Sequence, residues 1–322
     1  MGVVAERVGR RGWARDSLEE KALKEKDLTE KALKENCIIK EKCLKESCIK
    51  RVGFWLNEDK PEGEGLAREA AAACREAGIV VSNAKAAAQA PAAERPQLAV
   101  VFGGDGTMIA AARALAVLEI PLVGVNMGRL GFLMSLEAED MPQALLRLIA
   151  GEYVAERRLQ LEGRLLRGGR EAALGIAQND IVVNNGSVSR MIGLELYVDG
   201  HPALEMKGDG LVVATPTGST AYSLSAGGSI VLPETEVILV TPVAAHSLYS
   251  RPMVVSGASQ LSLRLGSLSG GAARLTFDGQ YDFEMGPGDE LLIQRHEPGA
   301  VFFWPEPGMF LKRLKSKLMS KG

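Results

Sequence analysis

The sequence predicts an α/β domain followed by an all-β, sandwich-like domain, behind a charged N-terminal extension. Three observations carry that prediction. Between residues 51 and 150, short apolar runs alternate with helix-like segments, the pattern of a parallel sheet with covered faces. From about 158 to 296 the helical spacing gives way to short β-like runs separated by turn signals such as NNG, DG and GPGD. Residues 1–50 match neither pattern. With 322 residues, 46% of them hydrophobic, the chain is long enough for two domains with real cores.

The extension is a degenerate five-residue repeat over 21–50, KALKE-KDLTE-KALKE-NCIIK-EKCLK-ESCIK. Its lysines and glutamates have strong helical propensity. A five-residue step turns a helix by about 140°, so Leu18, Leu23, Leu28 and Leu33 scatter around it. The expectation is a solvated helix or a disordered tail. The first seventeen residues carry charges and no apolar stretch, unlike a secretory signal. No segment is long and apolar enough to span a bilayer. The four cysteines, Cys37, Cys43, Cys48 and Cys74, fit neither a disulfide framework nor a zinc spacing, and read as reduced thiols of a cytoplasmic protein. A net charge of −2 gives no reason to expect nucleic acid or membrane as a partner.

Residues 51–140 are read as the α/β domain. VGFWLN (52–57) is its first strand, and 62–77 a helix stopped by Gly78. IVV (79–81) is a short second strand. LAVVFGG (98–104) is the third, followed by a helix after Asp105, and PLVGVN (121–126) is the fourth. A helix at 139–150 closes this part. Residues 141–300 form the β-rich domain, with runs at 158–167, 174–185, 193–200, 210–216, 237–243, 252–255, 262–266, 273–280 and 290–296. Residues 301–322 are expected to pack back on the body, ending in a basic amphipathic helix over 308–322.

The richest stretch is AVVFGGDGT (99–107). Glycines at a strand-to-helix turn let the backbone approach a phosphate chain and aim its N–H groups at it. Asp105 stands among them, placed to bind a metal or to take a proton from an attacking hydroxyl. The stretch is neither a Walker A loop nor a GxGxxG fingerprint, and it reads as a phosphoryl-transfer loop. The bland alternative for Asp105 is a helix cap. A second glycine loop, NMGRLGFL (126–133), follows the next strand. Ligands of parallel sheets bind at the carboxyl ends of strands, where both loops lie.

Four motifs in order, GGDGT (103–107), NMGRLGFL (126–133), DGLVVATPTGSTAYSLSAGGSIVLP (209–233) and HSLYSRPMVV (246–255), resemble the NAD kinase family, the ATP-dependent enzymes that make NADP. The resemblance covers residues from about 51 to the end. It implies a nucleotide-binding α/β domain and a β-rich NAD-binding domain with substrate between them. It also implies phosphorylation of the 2′-hydroxyl of the NAD adenosine ribose by ATP, with Mg²⁺ or another divalent metal held mainly by substrate phosphates.

Residue by residue, the resemblance implies that Asp105 is the catalytic carboxylate and that Gly103, Gly104, Gly106 and Thr107 cradle phosphate. The implied NAD contacts are Asn126, Phe132, Asn179, Asp180, Asp209, Thr220, Ala221, Tyr222, Ser225 and His246. Six of them have a plain alternative. Phe132 can be a core residue, Asn179–Asp180 an Asx turn, Asp209 a β-turn aspartate, Tyr222 a core-edge tyrosine and His246 a loop histidine. Arg129 can meet phosphate or face solvent, and so can Lys207. Asp278–Gly279, in FDGQ, reads first as a hairpin turn and second as a site element. The resemblance also implies a homodimer or homotetramer. Two rival functions remain at this level: a lipid kinase sharing the GGDGT loop, and a non-catalytic NAD(P)-binding sensor. The sequence does not choose between ATP and polyphosphate as donor, or between NAD and NADH as acceptor.

Overall fold

In a computed structural model, the structure describes residues 49–57, 62–128, 131–186, 191–246, 250–268 and 273–319. The expectations for residues 1–48, which hold nearly all of the 21–50 repeat, for Cys37, Cys43 and Cys48 and for Arg129 fall outside those residues.

The first half is built on parallel strands. β1 (Arg51–Leu56) pairs with β2 (Val80–Asn83) on one side and β3 (Leu98–Gly103) on the other, and β3 pairs with β4 (Leu122–Asn126). All six residues of β3 and all five of β4 are buried, as expected for strands covered on both faces. Helix α1 (Glu62–Glu76) covers one face with Ala67, Ala70, Ala71 and Cys74, spaced i, i+3, i+4, i+7. Helix α2 (Asp105–Leu115) covers the other with Met108, Ile109, Ala112 and Leu115. A two-residue strand, β5 (Leu136–Glu137), pairs with β4, and α3 (Gln143–Ile149) follows.

The second half is a sandwich. One layer holds β6 (Val154–Arg167), β7 (Arg170–Ala177), β9 (Ile192–Val198), β10 (His201–Gly208), β14 (Leu261–Leu268) and β17 (Glu290–Trp304). The other is a six-stranded sheet in the order β13-β12-β11-β8-β15-β16, with β8 (Asp180–Asn184), β11 (Gly210–Ala214), β12 (Val237–Val243), β13 (Met253–Ser256), β15 (Ala273–Phe277) and β16 (Tyr281–Met285). Leu161, Leu194, Leu263 and Ile293 of the first layer pack on Ile181, Leu211, Val240 and Phe277 of the second.

The first layer is hydrogen-bonded to the parallel strands, making one eleven-stranded sheet. The join is β17. Its start pairs antiparallel with β14, its end meets β4 through Phe302 and Leu122, and β6 runs beside it almost throughout. The strand read from sequence at 290–296 therefore continues to Trp304. The single run read at 174–185 is two strands in different sheets, because the chain crosses between layers at Gln178–Asn179. β10 and β16 were not legible as strands. Each is an edge strand with mostly exposed or half-buried side chains, so no apolar run marks it.

A four-residue helix, α4 (Tyr222–Ser225), lies between β11 and β12, and after β17 helix α5 (Met309–Met319) returns to the second glycine loop. Among the described residues, no helix is long and apolar enough to cross a membrane.

Candidate functional site

The GGDGT segment is the junction of β3 and α2. Gly104 is the helix N-cap, in extended conformation and without a side-chain cap bond. Asp105 occupies the first helical turn but does not cap its own helix. Its carboxylate accepts the N–H of Phe132 at 2.7 Å and that of Leu133 at 3.0 Å, both from the second glycine loop. Gly131 permits this approach, since a Cβ there would fall on the Asp105 carboxylate. The two glycine loops therefore interlock through one carboxylate. Bonds to an ionised acceptor are the stronger kind, so Asp105 is fixed in orientation while keeping lone pairs for a further partner.

Thr107 is half-buried, and its hydroxyl accepts from Asn57 Nδ2 at 3.1 Å. Gly106 is exposed at the helix start. Gly103 is buried, and a Cβ there would meet the Thr107 side chain. The first N–H groups of a helix have no partner inside it, so this turn presents donors and a positive dipole end.

Asn126, at the end of β4, is 7% exposed. Its Nδ2 donates to Glu137 Oε2 at 2.8 Å and to the Gly128 carbonyl at 3.1 Å, and its Oδ1 accepts from the Gly128 N–H at 3.3 Å. The amide is engaged in shaping the loop. Phe132 packs its ring on Phe310 of α5, with centroids 5.9 Å apart and Lys317 Nζ at 4.5 Å from the Phe132 centroid.

A pocket of about 410 Å³ opens where β8, the β15–β16 turn and the TPTGSTAY segment meet. Asn179, Asp180, Ala221, Tyr222, Asp278 and Gly279 are among its lining residues. Asp278 and Gly279 take φ angles of 52° and 63°, the pair a type I′ hairpin turn requires. The Asp278 carboxylate does more than turn the chain. It accepts the N–H groups of Gln178, Asn179 and Asp180 at 2.9, 2.7 and 3.1 Å, and it pairs with Arg113 of α2 at 3.0 Å. Those N–H groups lie where the chain leaves one sheet for the other and are not taken up by a ladder.

Burial pushes the Asp180 carboxyl up to about 7, helped by the charge of Asp278 and opposed by the Tyr222 N–H. Burial also raises Asp278, against its three N–H donors and Arg113. Asn179 Oδ1 is buried and has no hydrogen-bond partner among the described residues. An acceptor left without a donor in a pocket wall is set for a ligand that brings one.

The TPTGSTAY segment presses on this wall. A Cβ at Gly218 would fall on the Asn179 carbonyl oxygen. The segment's hydroxyls largely bond within the protein. Thr215 Oγ1 donates to the Gln178 carbonyl, Ser219 pairs with Val231, Thr220 with the Thr217 carbonyl and Ser223 with Thr241. Ala221 and the 41% exposed Tyr222 face the pocket, whereas Thr220 and Ser225 are not among its lining residues.

Asp209 and His246 lie elsewhere. In the β8–β11 ladder Gly210 pairs with Asn184 and Ala214 with Asp180, so Asp209 and Asp180 mark opposite ends. Strand rise puts them roughly 15 Å apart. Asp209 is exposed and accepts from Asn185 Nδ2 at 3.2 Å. His246 is exposed, its backbone N–H donating to the Lys207 carbonyl at 2.9 Å.

Two arginines were missed. Arg113 is the sole cation of α2, but nothing local tells that its partner lies 165 residues on. Arg313 of α5 donates to the Gly131 carbonyl at 2.9 Å, and among the basic residues of that helix its sequence context does not single it out. Gln280, quoted within FDGQ, links the pocket turn to the first loop by donating to the Gly106 carbonyl at 3.2 Å.

Most of the chain matches known proteins. Residues 25–153 match the ATP-NAD kinase N-terminal domain, and residues 178–302 match the ATP-NAD kinase C-terminal domain. An NAD kinase from Marinobacter nauticus is 43% identical over 221 residues, covering 69% of this chain and 75% of the relative. A yeast NADH kinase solved with NADH superposes with a TM-score of 0.76 at 23% identity, over 86% of this chain and 89% of that one. An NAD kinase from Archaeoglobus fulgidus solved with ATP gives a TM-score of 0.65 at 26% identity, over 83% and 96% of the two chains.

Proposed function

The chain belongs to the ATP-NAD kinase family, and on that premise we propose how its residues divide the work of phosphorylating NAD with ATP. The observation that carries the reading is the Asp105 carboxylate at the start of α2, held by two backbone N–H groups of the second glycine loop, in a turn that Gln280 joins to the hairpin lining a nucleoside-sized pocket.

The pocket takes the adenosine half of NAD. Asn179 Oδ1 accepts from the adenine amino group, and the Asp180 carboxylate accepts from ribose hydroxyls. Tyr222 supplies an apolar face. The Gly106–Gln280 bond sets the pocket turn against the phosphate loop, which brings the ribose 2′-hydroxyl toward Asp105. Gly103, Gly104, Gly106 and Thr107 form the cradle for the phosphates of ATP, with the N–H groups of the α2 start as donors. Asp105 accepts the hydroxyl proton as the 2′-oxygen attacks the γ-phosphorus. The bond to the β–γ bridging oxygen breaks, ADP leaves, and the proton passes to solvent.

Among the described residues no three His, Cys, Asp or Glu side chains converge as a metal cage. One fixed carboxylate beside a phosphate cradle fits Mg²⁺ that arrives on ATP, and Asp105 would help to hold it. The ion would supply charge neutralisation on the transferring phosphoryl group. Asp209 and His246, on the far end of the β8–β11 ladder, are assigned to the nicotinamide half of NAD, with Thr220 and Ser225 as outer contacts. The assembly proposed from the family is a homodimer or homotetramer.

The test is product identity. Purified chain given NAD, Mg²⁺ and ATP should form NADP and ADP in equal amounts, and omission of ATP should abolish both. NAD binding without ADP release would favour a non-catalytic sensor, and phosphorylation of a lipid hydroxyl in place of NAD would favour a lipid kinase.

A further inference from the structure

We propose that Arg313, on the C-terminal helix α5, is a positioning residue for the Asp105 carboxylate. The proposal rests on the reading of Asp105 given above. Arg313 is 4% exposed, and its Nη1 donates to the Gly131 carbonyl at 2.9 Å. That carbonyl and the Phe132 N–H are the two ends of one peptide unit. The Phe132 N–H is the closer of the two donors to Asp105, at 2.7 Å. A single planar peptide is thus held between a guanidinium on its oxygen and a carboxylate on its nitrogen. Rotating it would break both bonds. A charged donor on the carbonyl also polarises the amide and strengthens its N–H toward Asp105.

The same guanidinium reaches the other end of the loop. Arg313 Nη2 lies 3.7 Å from Glu137 Oε1, Glu137 Oε2 accepts from Asn126, and Asn126 bonds Gly128 through both its amide atoms. One buried cation therefore braces the loop at Gly128 and at Gly131. Apolar anchoring of α5 is supplied separately by Phe310 on Phe132. Burial disfavours the Arg313 charge, and the charges of Glu137 and Asp105 oppose that effect. A buried charge is costly, so its placement here points to a task that packing alone does not perform.

The experiment measures kcat and KM for NAD and for ATP in the full chain, for Arg313→Ala and Arg313→Lys, each alone and combined with Asp105→Asn. Arg313→Ala is expected to lower kcat at least thirtyfold, with both KM values within threefold of wild type. Arg313→Lys keeps one donor to Gly131 and loses the fork to Glu137, so it should lower kcat at least threefold and remain above Arg313→Ala. In the Asp105→Asn background, where the positioned group is gone, neither change should lower kcat by more than twofold further. A change in KM without loss of kcat overturns the proposal, as does an equal fold-loss in both backgrounds. If Arg313→Ala loses its cooperative thermal transition, Arg313→Lys decides, and a kcat loss under threefold overturns the assignment. Asp105→Asn with wild-type kcat would instead remove the reading of Asp105. Unaffected Arg313 variants beside an inactive Asp105→Asn would remove only the role of Arg313.

Discussion

The guanidinium of Arg113 meets the carboxylate of Asp278 at 3.0 Å, with side chains 9% and 0% exposed. This pair joins the helix that begins with the phosphate loop to the turn that holds Asn179 and Asp180 in the pocket wall. Arg113 also donates to Gln280 Oε1, and Gln280 donates to the Gly106 carbonyl, so the ion pair is one of several described links between the proposed ATP side and the proposed NAD side.

Removing one partner of a buried ion pair leaves the other charged and unpaired, at a cost of about 3 kcal/mol or more. Arg113→Met is therefore expected to lower the thermal midpoint and to raise KM for NAD more than KM for ATP, because the displaced turn carries the pocket wall. Calorimetry and initial-rate kinetics read both. An unchanged KM for NAD in a folded variant would remove the coupling.

The Asp180 carboxyl has a second consequence. Its pKa lies near 7 in the fold against 3.8 as the ordinary value. The folded state thus binds this proton more tightly than the unfolded chain. The group's contribution to stability is greatest below about pH 4 and declines as pH rises through 7. Asp180→Asn keeps an acceptor for the Tyr222 N–H and removes the charge. It should raise the thermal midpoint relative to wild type at pH 8 and leave it unchanged at pH 3.5. NAD prefers the ionised carboxylate, so the wild-type KM for NAD should rise as pH falls through 7, and this inflection should be absent in Asp180→Asn. A pH-independent difference in midpoint would show that Asp180 is not the group titrating.

Gly131→Ala tests the interlock of the loops. The added methyl would occupy the space of the Asp105 carboxylate. Either the loop or the carboxylate must shift, and small misplacements of a reacting group can cost about 10²-fold in rate. The expectation is a kcat lowered by roughly that factor, with NAD affinity, read by calorimetric titration, held within threefold because the pocket wall is elsewhere. Wild-type kcat would mean that the approach of Gly131 to Asp105 is not needed for turnover.

The alternation of elements and the two glycine loops were legible in the sequence because buried parallel strands read as unbroken apolar runs. AVVFGGDGT shows the strand end, the turn and the carboxylate within nine residues. The chain crossing at Gln178–Asn179 was not legible. Its N–H groups are capped by Asp278, a hundred residues away, and no local pattern reports that. The resemblance makes Thr220 a ligand contact, but sequence does not tell which way the TPTGSTAY hydroxyls point. In the fold most of them satisfy neighbouring backbone. Asp209 and Asp180 both read as site residues, and only the strand register reveals that they occupy opposite ends of one ladder.

The most direct measurement is NADP formation by Asp105→Asn beside wild type, with ATP, Mg²⁺ and saturating NAD. Asparagine keeps the size of the side chain and an acceptor for one of the two loop N–H groups, which bond to different carboxylate oxygens, but it cannot take the hydroxyl proton. Wild type is expected to form NADP only when ATP is present. The variant is expected to fold and bind NAD normally, with kcat lowered by about 10²–10⁴. A variant turning over within tenfold of wild type would contradict the role of Asp105, and a wild-type chain that binds NAD yet forms no NADP would contradict the kinase reading itself.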